Sequence, residues 1–458
     1  MGLRKTPAAL FAIGAAAALA ITGCSSSSST ASGSQSSGSS TGSSSAPAQL
    51  TVWRMGADVP AQDTWLNGVV SQFHQQFPQY KNTTVKTVWV AWGNRTTDWN
   101  TALTSGQNGP DITELGNTDT PTEATLGGLS DISSYVNAWS GKSSLVQGML
   151  ANDTQNGTVY AVPWFGGVRG VWYRTDQFQK AGISSPPATW ADFVTDAQKL
   201  MKTFPGTYGF DAITHDTNAF ASFIWGAGGQ IATQSNGQWT ADLTSPADEA
   251  AIKFYVSLYT KYHLSPSKYI GQTELGNVGA TAGGANADFA LGKLDMYIDG
   301  PWATGNMPSN PVDKANWASF PIPSENGPTP APVFAGGSDL AVFKTSKNPQ
   351  AAWDLISVMD NVQNSTSFAT QQEFFFPPYT TAASTSYPAS NQLMTGFAKA
   401  AVNSQISPLN AKNWATADNG QYYIIPNMLK ALMNGADFQS TVAKANTQLQ
   451  NVLNNGTP

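Results

Sequence analysis

Between Gln49 and Leu115 the chain alternates short β-branched and aromatic runs with stretches of helical period, and this alternation is its strongest constraint on a fold. Gln49–Met55 (QLTVWRM), Thr84–Val90 (TVKTVWV) and Asp111–Leu115 (DITEL) read as three strands. Trp65, Val69, Val70, Phe73 and Phe77 recur at helical spacing after the first, with Asp63 or Thr64 as N-cap and Pro78 as the stop. A further helix opens at Trp99–Leu103. Strand, helix, strand, helix, strand predicts an α/β domain on a mostly parallel sheet. The rhythm returns with strands at Tyr160–Trp164, Val171–Arg174, Leu294–Ile298 and Asp339–Phe343. Thr189 with Asp192 forms a capping box, Ser245-Pro246 and Asn348-Pro349 open helices, and Asp437–Leu453 is helical by period. In 458 residues this leaves room for two α/β lobes of about 200 residues each.

The amino end is read as an address. Arg4 and Lys5 precede an apolar stretch, Ala8–Ile21, too short to span the ~30 Å of a bilayer core as a helix. Small residues then lead to the single cysteine, Cys24, which resembles the lipobox of bacterial lipoprotein signal peptides, with Ile21 in place of the commoner Leu. The resemblance implies cleavage before Cys24, acylation of that residue, and residence on the extracellular face of the cell membrane. Residues 24–47, Ser- and Gly-rich without charge, read as a flexible tether spanning roughly 25–30 Å.

Composition removes several classes. Charged residues make up 11% of the chain against ~25% in an average globular protein. With 23 Lys plus Arg against 29 Asp plus Glu, no basic face is available for a nucleic acid. One cysteine excludes intrachain disulfides and Cys-based zinc, and His74, His215 and His263 are too scattered to suggest a metal site. Gly-x-Ser-x-Gly, HExxH and Walker A patterns are absent. The alternative from another class is a secreted glycoside hydrolase, which needs two carboxylates ~5–9.5 Å apart; Asp295 and Asp299 are the pair to judge.

Several blocks, in order, resemble the family 1 extracellular solute-binding proteins of ABC importers, the maltose-binding-protein superfamily. They are LTVWRMG; TALTSGQNGPDITELGNTDTPTEATLGGLSDIS; NGTVYAVPWFGGVRGVWYRTDQFQKAG with PPATWADF; ALGKLDMYIDGPW; and GGSDLAVFKTSKNPQAAWDLI. ELGNTDTP, with Trp225-Gly226 downstream, is similar to actinobacterial binding proteins for chito-oligosaccharides and other oligosaccharides. The resemblance implies a two-lobed periplasmic-binding-protein-like fold with an interlobar cleft and three chain crossings, near Tyr160–Val162, Val333–Ala335 and Gln371–Phe374. Residues 48–160 and 335–372 would then form lobe 1, and 161–334 and 373–458 lobe 2. It further implies a monomer without catalytic residues, cofactor or metal, which hands a neutral oligosaccharide, chitobiose-like or gluco- or xylo-configured, to the subunits of an ABC permease.

Sugars present flat apolar faces edged by hydroxyls, which aromatic rings and short polar groups recognise. Candidates near strand ends or in loops are Trp92, Trp164, Trp225, Trp302 and Trp414, with Trp65, Trp190 and Trp353 assigned to the core. Arg54, Asn94, Asn117, Asp119 and Asp299 are placed to bond hydroxyls, although Arg54 could instead pair with Asp58 and Asp299 could cap the turn after it. Gly337 would let the backbone approach a ligand or simply make a turn.

Overall fold

The computed structural model describes residues 46–106, 109–271, 284–305, 314–372, 376–379 and 392–458. The signal segment, Cys24 and nearly all of the expected tether lie outside the described residues.

The three amino-terminal strands form where their β-branched content places them: β1 (Gln49–Met55), β2 (Thr84–Val90) and β3 (Ile112–Gly116). β4 (Ala161–Gly167), β5 (Gly170–Arg174), β6 (Met296–Asp299), β7 (Trp317–Phe320) and β8 (Gly336–Val342) follow. One sheet has the order β2-β1-β3-β8-β4. β1 runs parallel to β2 and β3, whereas β8 is antiparallel to both β3 and β4. The carboxyl ends of β1, β2, β3 and β4 therefore share one edge with the amino end of β8. Ligands of open α/β sheets bind at such an edge.

The second sheet departs from the expected parallel pattern. β5 is flanked antiparallel by β6, through Asp299↔Gly170, and by β7, through Phe320↔Val171. Here Arg169 and the segment after Asp299 reach the same edge.

Helix α1 (Pro60–Gln76) begins before the expected Asp63 or Thr64 cap, because Pro60 occupies the first turn with its φ preset. Its Leu66, Val69 and Phe73 bury against the first sheet's core. The Thr189 box, the Ser245-Pro246 start and the Asn348-Pro349 start all form helices, and Asp437 caps the last one at Ser440 N.

Apolar packing follows the two sheets. Leu50–Phe165 and Leu340–Tyr379 supply the cores of the first, and Val168–Phe334 with Met394–Leu453 that of the second. β4 thus belongs wholly to the first sheet, since Val162, Trp164 and Phe165 bury there. The first crossing accordingly falls at Val168-Arg169 instead of Tyr160–Val162. Val333 and Phe334 sit in the second core and β8 in the first sheet. Part of the expected third crossing, Glu373 and Phe374, lies outside the described residues; Tyr379, further along, is buried in the first core.

Candidate functional site

A cleft with an empty volume of about 1210 Å3, its open mouth included, lies where the edges of the two sheets meet. Lobe 1 lines it from the ends of β1 (Arg54 to Gly56), β2 (Trp89, Trp92) and β3 (Gly116 to Asp119), and from Phe165 and Gly336 to Ser338. Lobe 2 contributes Arg169, Asn218, Asn286, Asp299, Trp302 and Phe334.

Of the fifteen tryptophans, five are partly exposed, and three of those five, Trp89, Trp92 and Trp302, line the cleft. Trp302 stands on the turn after β6, its ring 5.5 Å from the Arg169 guanidinium. Trp92 stands on the turn after β2, its ring 5.6 Å from that of Arg95. Both lobes thus offer an indole to the same space.

The charges there are compensated in place. Arg54 Nε donates to Glu114 Oε2 at 3.0 Å and Nη2 to Gln62 Oε1 at 2.6 Å. The ion-pair partner of Arg54 is Glu114 rather than Asp58, because β1 and β3 are neighbours in the sheet. Arg95 grips Asp119 with two bonds of 2.7 and 3.0 Å, and Arg169 Nε reaches Asp216 Oδ2 at 3.3 Å. Asp299 accepts from Gly300 N at 2.7 Å and from the Tyr297 hydroxyl; burial raises its pKa, opposed by Tyr297 and the Arg169 charge. Behind Asp119, Glu123 is pushed up to about 7 by burial and by the Asp119 charge.

Asn117 ties the cleft floor to the second crossing. Its Nδ2 donates to Ala335 O at 2.8 Å and its N–H to Gly337 O at 3.1 Å. Gly337 lies at φ +154°, and a Cβ there would collide with Phe165 O. We expect Gly337→Ala to cost ~1–3 kcal/mol of stability, since the obstacle is backbone that cannot rotate away. Chemical denaturation measures this, and a loss below about 0.5 kcal/mol would show that the floor is plastic.

Seven expected site residues, Arg54, Trp92, Asn117, Asp119, Asp299, Trp302 and Gly337, come together in this cleft. Four do not. Trp164 is fully buried and stacks on Phe368 at 4.3 Å, forming the apolar bed 4.4 Å beneath the Arg54 guanidinium. Trp225 is in the second core at the carboxyl end of the helix Thr217–Gly226, outside the cleft lining. Trp414, though its neighbours are polar, is fully buried beneath the last helix, where Asn413 Nδ2 donates to Leu453 O. Asn94 is exposed on the turn outside the cleft lining.

Trp89, Arg95, Glu114, Arg169, Asn218, Asn286 and Phe334 went unnoticed. Arg95 in AWGNR and Arg169 in FGGVRG lay inside blocks already singled out, so their position after strand ends was the available signal. Asp295 is fully buried and bonded to Thr207, outside the cleft lining, so it forms no carboxylate pair with Asp299 there.

With this geometry in place, the comparisons with known proteins are consistent. Residues 57–361 match the family described as bacterial extracellular solute-binding protein, and the chain belongs to that family. The diacetylchitobiose binding protein DasA of Streptomyces coelicolor is 27% identical over 321 residues, 68% of each chain. An ABC transporter solute-binding protein of Thermotoga lettingae, bound with α-D-tagatose, superimposes with a TM-score of 0.75 at 21% identity, covering 89% of this chain and all of that one. Maltose-bound MalE3 of T. maritima gives 0.72 at 20% identity, covering 88% and 99%. The fold is the two-lobed α/β architecture of those proteins. Among the described residues no helix is long and apolar enough to cross a membrane.

Proposed function

We propose that this protein is the substrate-binding component of an ABC importer, that it captures a neutral di- or oligosaccharide, and that it passes the sugar intact to the permease. The observation that carries this is the cleft itself: indoles from both lobes facing a polar surface whose three arginines are each paired with a carboxylate. Stacking surfaces beside hydrogen-bonding groups suit a sugar ring, and the pairing of each arginine among the described lining residues with a carboxylate favours an uncharged one. The named ligands of the relatives, diacetylchitobiose, tagatose and maltose, are all carbohydrates. A chitobiose-like disaccharide is the first candidate, followed by gluco- and xylo-oligosaccharides.

A sugar touching both lobes would favour the closed arrangement by its differential affinity for it. Attachment through Cys24 would keep the monomer at the outer face of the membrane, within reach of the permease. The engaged state of Glu114 and Asp119, each in a buried ion pair, argues against a glycosidase, whose acid and base must be free to exchange protons.

Thermal-shift screening of residues 48–458 against neutral oligosaccharides tests the reading. A specific ligand at about 100 times its Kd should add ~2.7 kcal/mol of stability. Prolonged incubation should return the sugar unchanged, and shorter products would make the protein a hydrolase.

A further inference from the structure

A buried acid cluster lies behind the floor of the cleft. Asp153 and Asp339 are 0% and 1% exposed, and their carboxyl groups hydrogen-bond to each other. Asp360, also fully buried, stands close enough to act on both through its charge. Among the described residues no Lys, Arg or His forms an ion pair with any of the three, and no grouping of His, Cys, Asp and Glu is disposed to hold a metal ion. Asp153 Oδ2 meets no N–H or O–H donor. Two carboxylates in contact in such a place cannot both be ionised, and the remaining counter-charge is a proton shared between them.

The pair is connected to the cleft on two sides. Asp339 Oδ2 accepts from Thr120 Oγ1 at 2.6 Å, and Thr120 follows the cleft residue Asp119. Next to Asp153, Asn152 Nδ2 donates to Asn117 O at 2.7 Å. Asp339 itself follows Gly337 and Ser338 at the register shift of β8. The other acids near the pair are Asp360, itself pushed upward by burial, and Asp119 and Glu114, which are in ion pairs with Arg95 and Arg54.

We propose that Asp153 and Asp339 share one proton and so position the Asn117–Thr120 turn, which makes carbohydrate binding in the cleft weaken when that proton is lost in alkaline solution. The proposal rests on the reading that the cleft binds sugar, but the proton itself can be tested without a ligand. Burial pushes both carboxyls upward, opposed at Asp339 by the Thr120 hydroxyl and at Asp153 by the Asn152 amide. Release of the proton to solvent leaves two like charges in contact. Their separation disturbs the Thr120 and Asn152 bonds that hold the turn.

The test compares the parent with Asp153→Asn, whose amide N–H donates to Asp339 at every pH. At pH 7.5 the infrared spectrum of the parent should hold one more protonated carboxyl than that of the variant. Between pH 7 and pH 9.5 the parent should lose about tenfold in affinity for diacetylchitobiose, while the variant keeps its neutral-pH value. Amide exchange over residues 116–120, corrected for its intrinsic pH dependence, should accelerate in the parent alone. Thr120→Val should weaken binding at every pH and keep the parent's pH slope. Equal carboxyl content, or parallel pH profiles in parent and Asp153→Asn, overturns the proposal. If diacetylchitobiose fails to bind at any pH, the ligand reading fails, and the infrared and exchange results still decide the proton.

Discussion

Trp302→Ala is expected to reduce carbohydrate affinity by ~30-fold or more, the loss of ~2 kcal/mol that defines a binding hot spot. The indole is carried by a rigid support: β6 ends at Asp299, Gly300 O accepts from Trp172 Nε1 at 3.1 Å, and Pro301 fixes the turn. Gly300 has no side chain, and a Cβ there would collide with the Trp302 ring, which folds back over it. The ring is thus held in place without being swallowed by the core. Its removal deletes a stacking surface and one face of the Arg169 contact, which is worth ~0.5–1 kcal/mol at a partly exposed site. Folding should survive nearly unchanged. Titration calorimetry alongside thermal denaturation separates the two effects, and unchanged affinity would remove Trp302 from the site.

Glu114→Ala should do the opposite and damage the fold first. Glu114 Oε2 accepts from both Arg54 Nε and Met55 N at 3.0 Å, with Arg54 only 2% exposed. Truncation strands a guanidinium among Trp89, Trp164 and Phe368, with Gln62 as its remaining acceptor. Removing one partner of a buried pair costs ~3–5 kcal/mol, a large share of the ~5–15 kcal/mol that holds a typical domain together. Replacing both residues with apolar ones of similar volume should recover much of the stability but not the binding. Urea denaturation reads the first effect. A loss under about 1 kcal/mol for Glu114→Ala would mean that the pair is solvated and the cleft wetter than described.

The amino-terminal strands were legible because each buries side chains in a short β-branched run bounded by polar turns. β1 and β2 were anticipated residue for residue, and β3 to within one. The three-stranded antiparallel sheet of the second lobe was not, since β5 pairs with strands more than a hundred residues away. Local pattern carries no information about such partners. Of the five candidate tryptophans only Trp92 and Trp302 line the cleft: strand alternation can send Trp89 to the cleft edge and Trp164 to the core without any difference in composition. Arg95 and Arg169 were passed over because what fixes them, Asp119 and Asp216, lies 24 and 47 residues further along. A buried charge is recognisable only together with its partner.

A crystal structure of residues 48–458 with the tightest-binding sugar from the screen would show directly how the cleft is used. An intact, uncharged sugar is expected between the lobes, one ring lying on the Trp302 indole and its hydroxyls bonded to groups of the Arg54–Glu114 and Arg95–Asp119 pairs. A sugar bound on the outer surface, a cleaved product, or a cleft occupied by a charged ligand that displaces those pairs would contradict it.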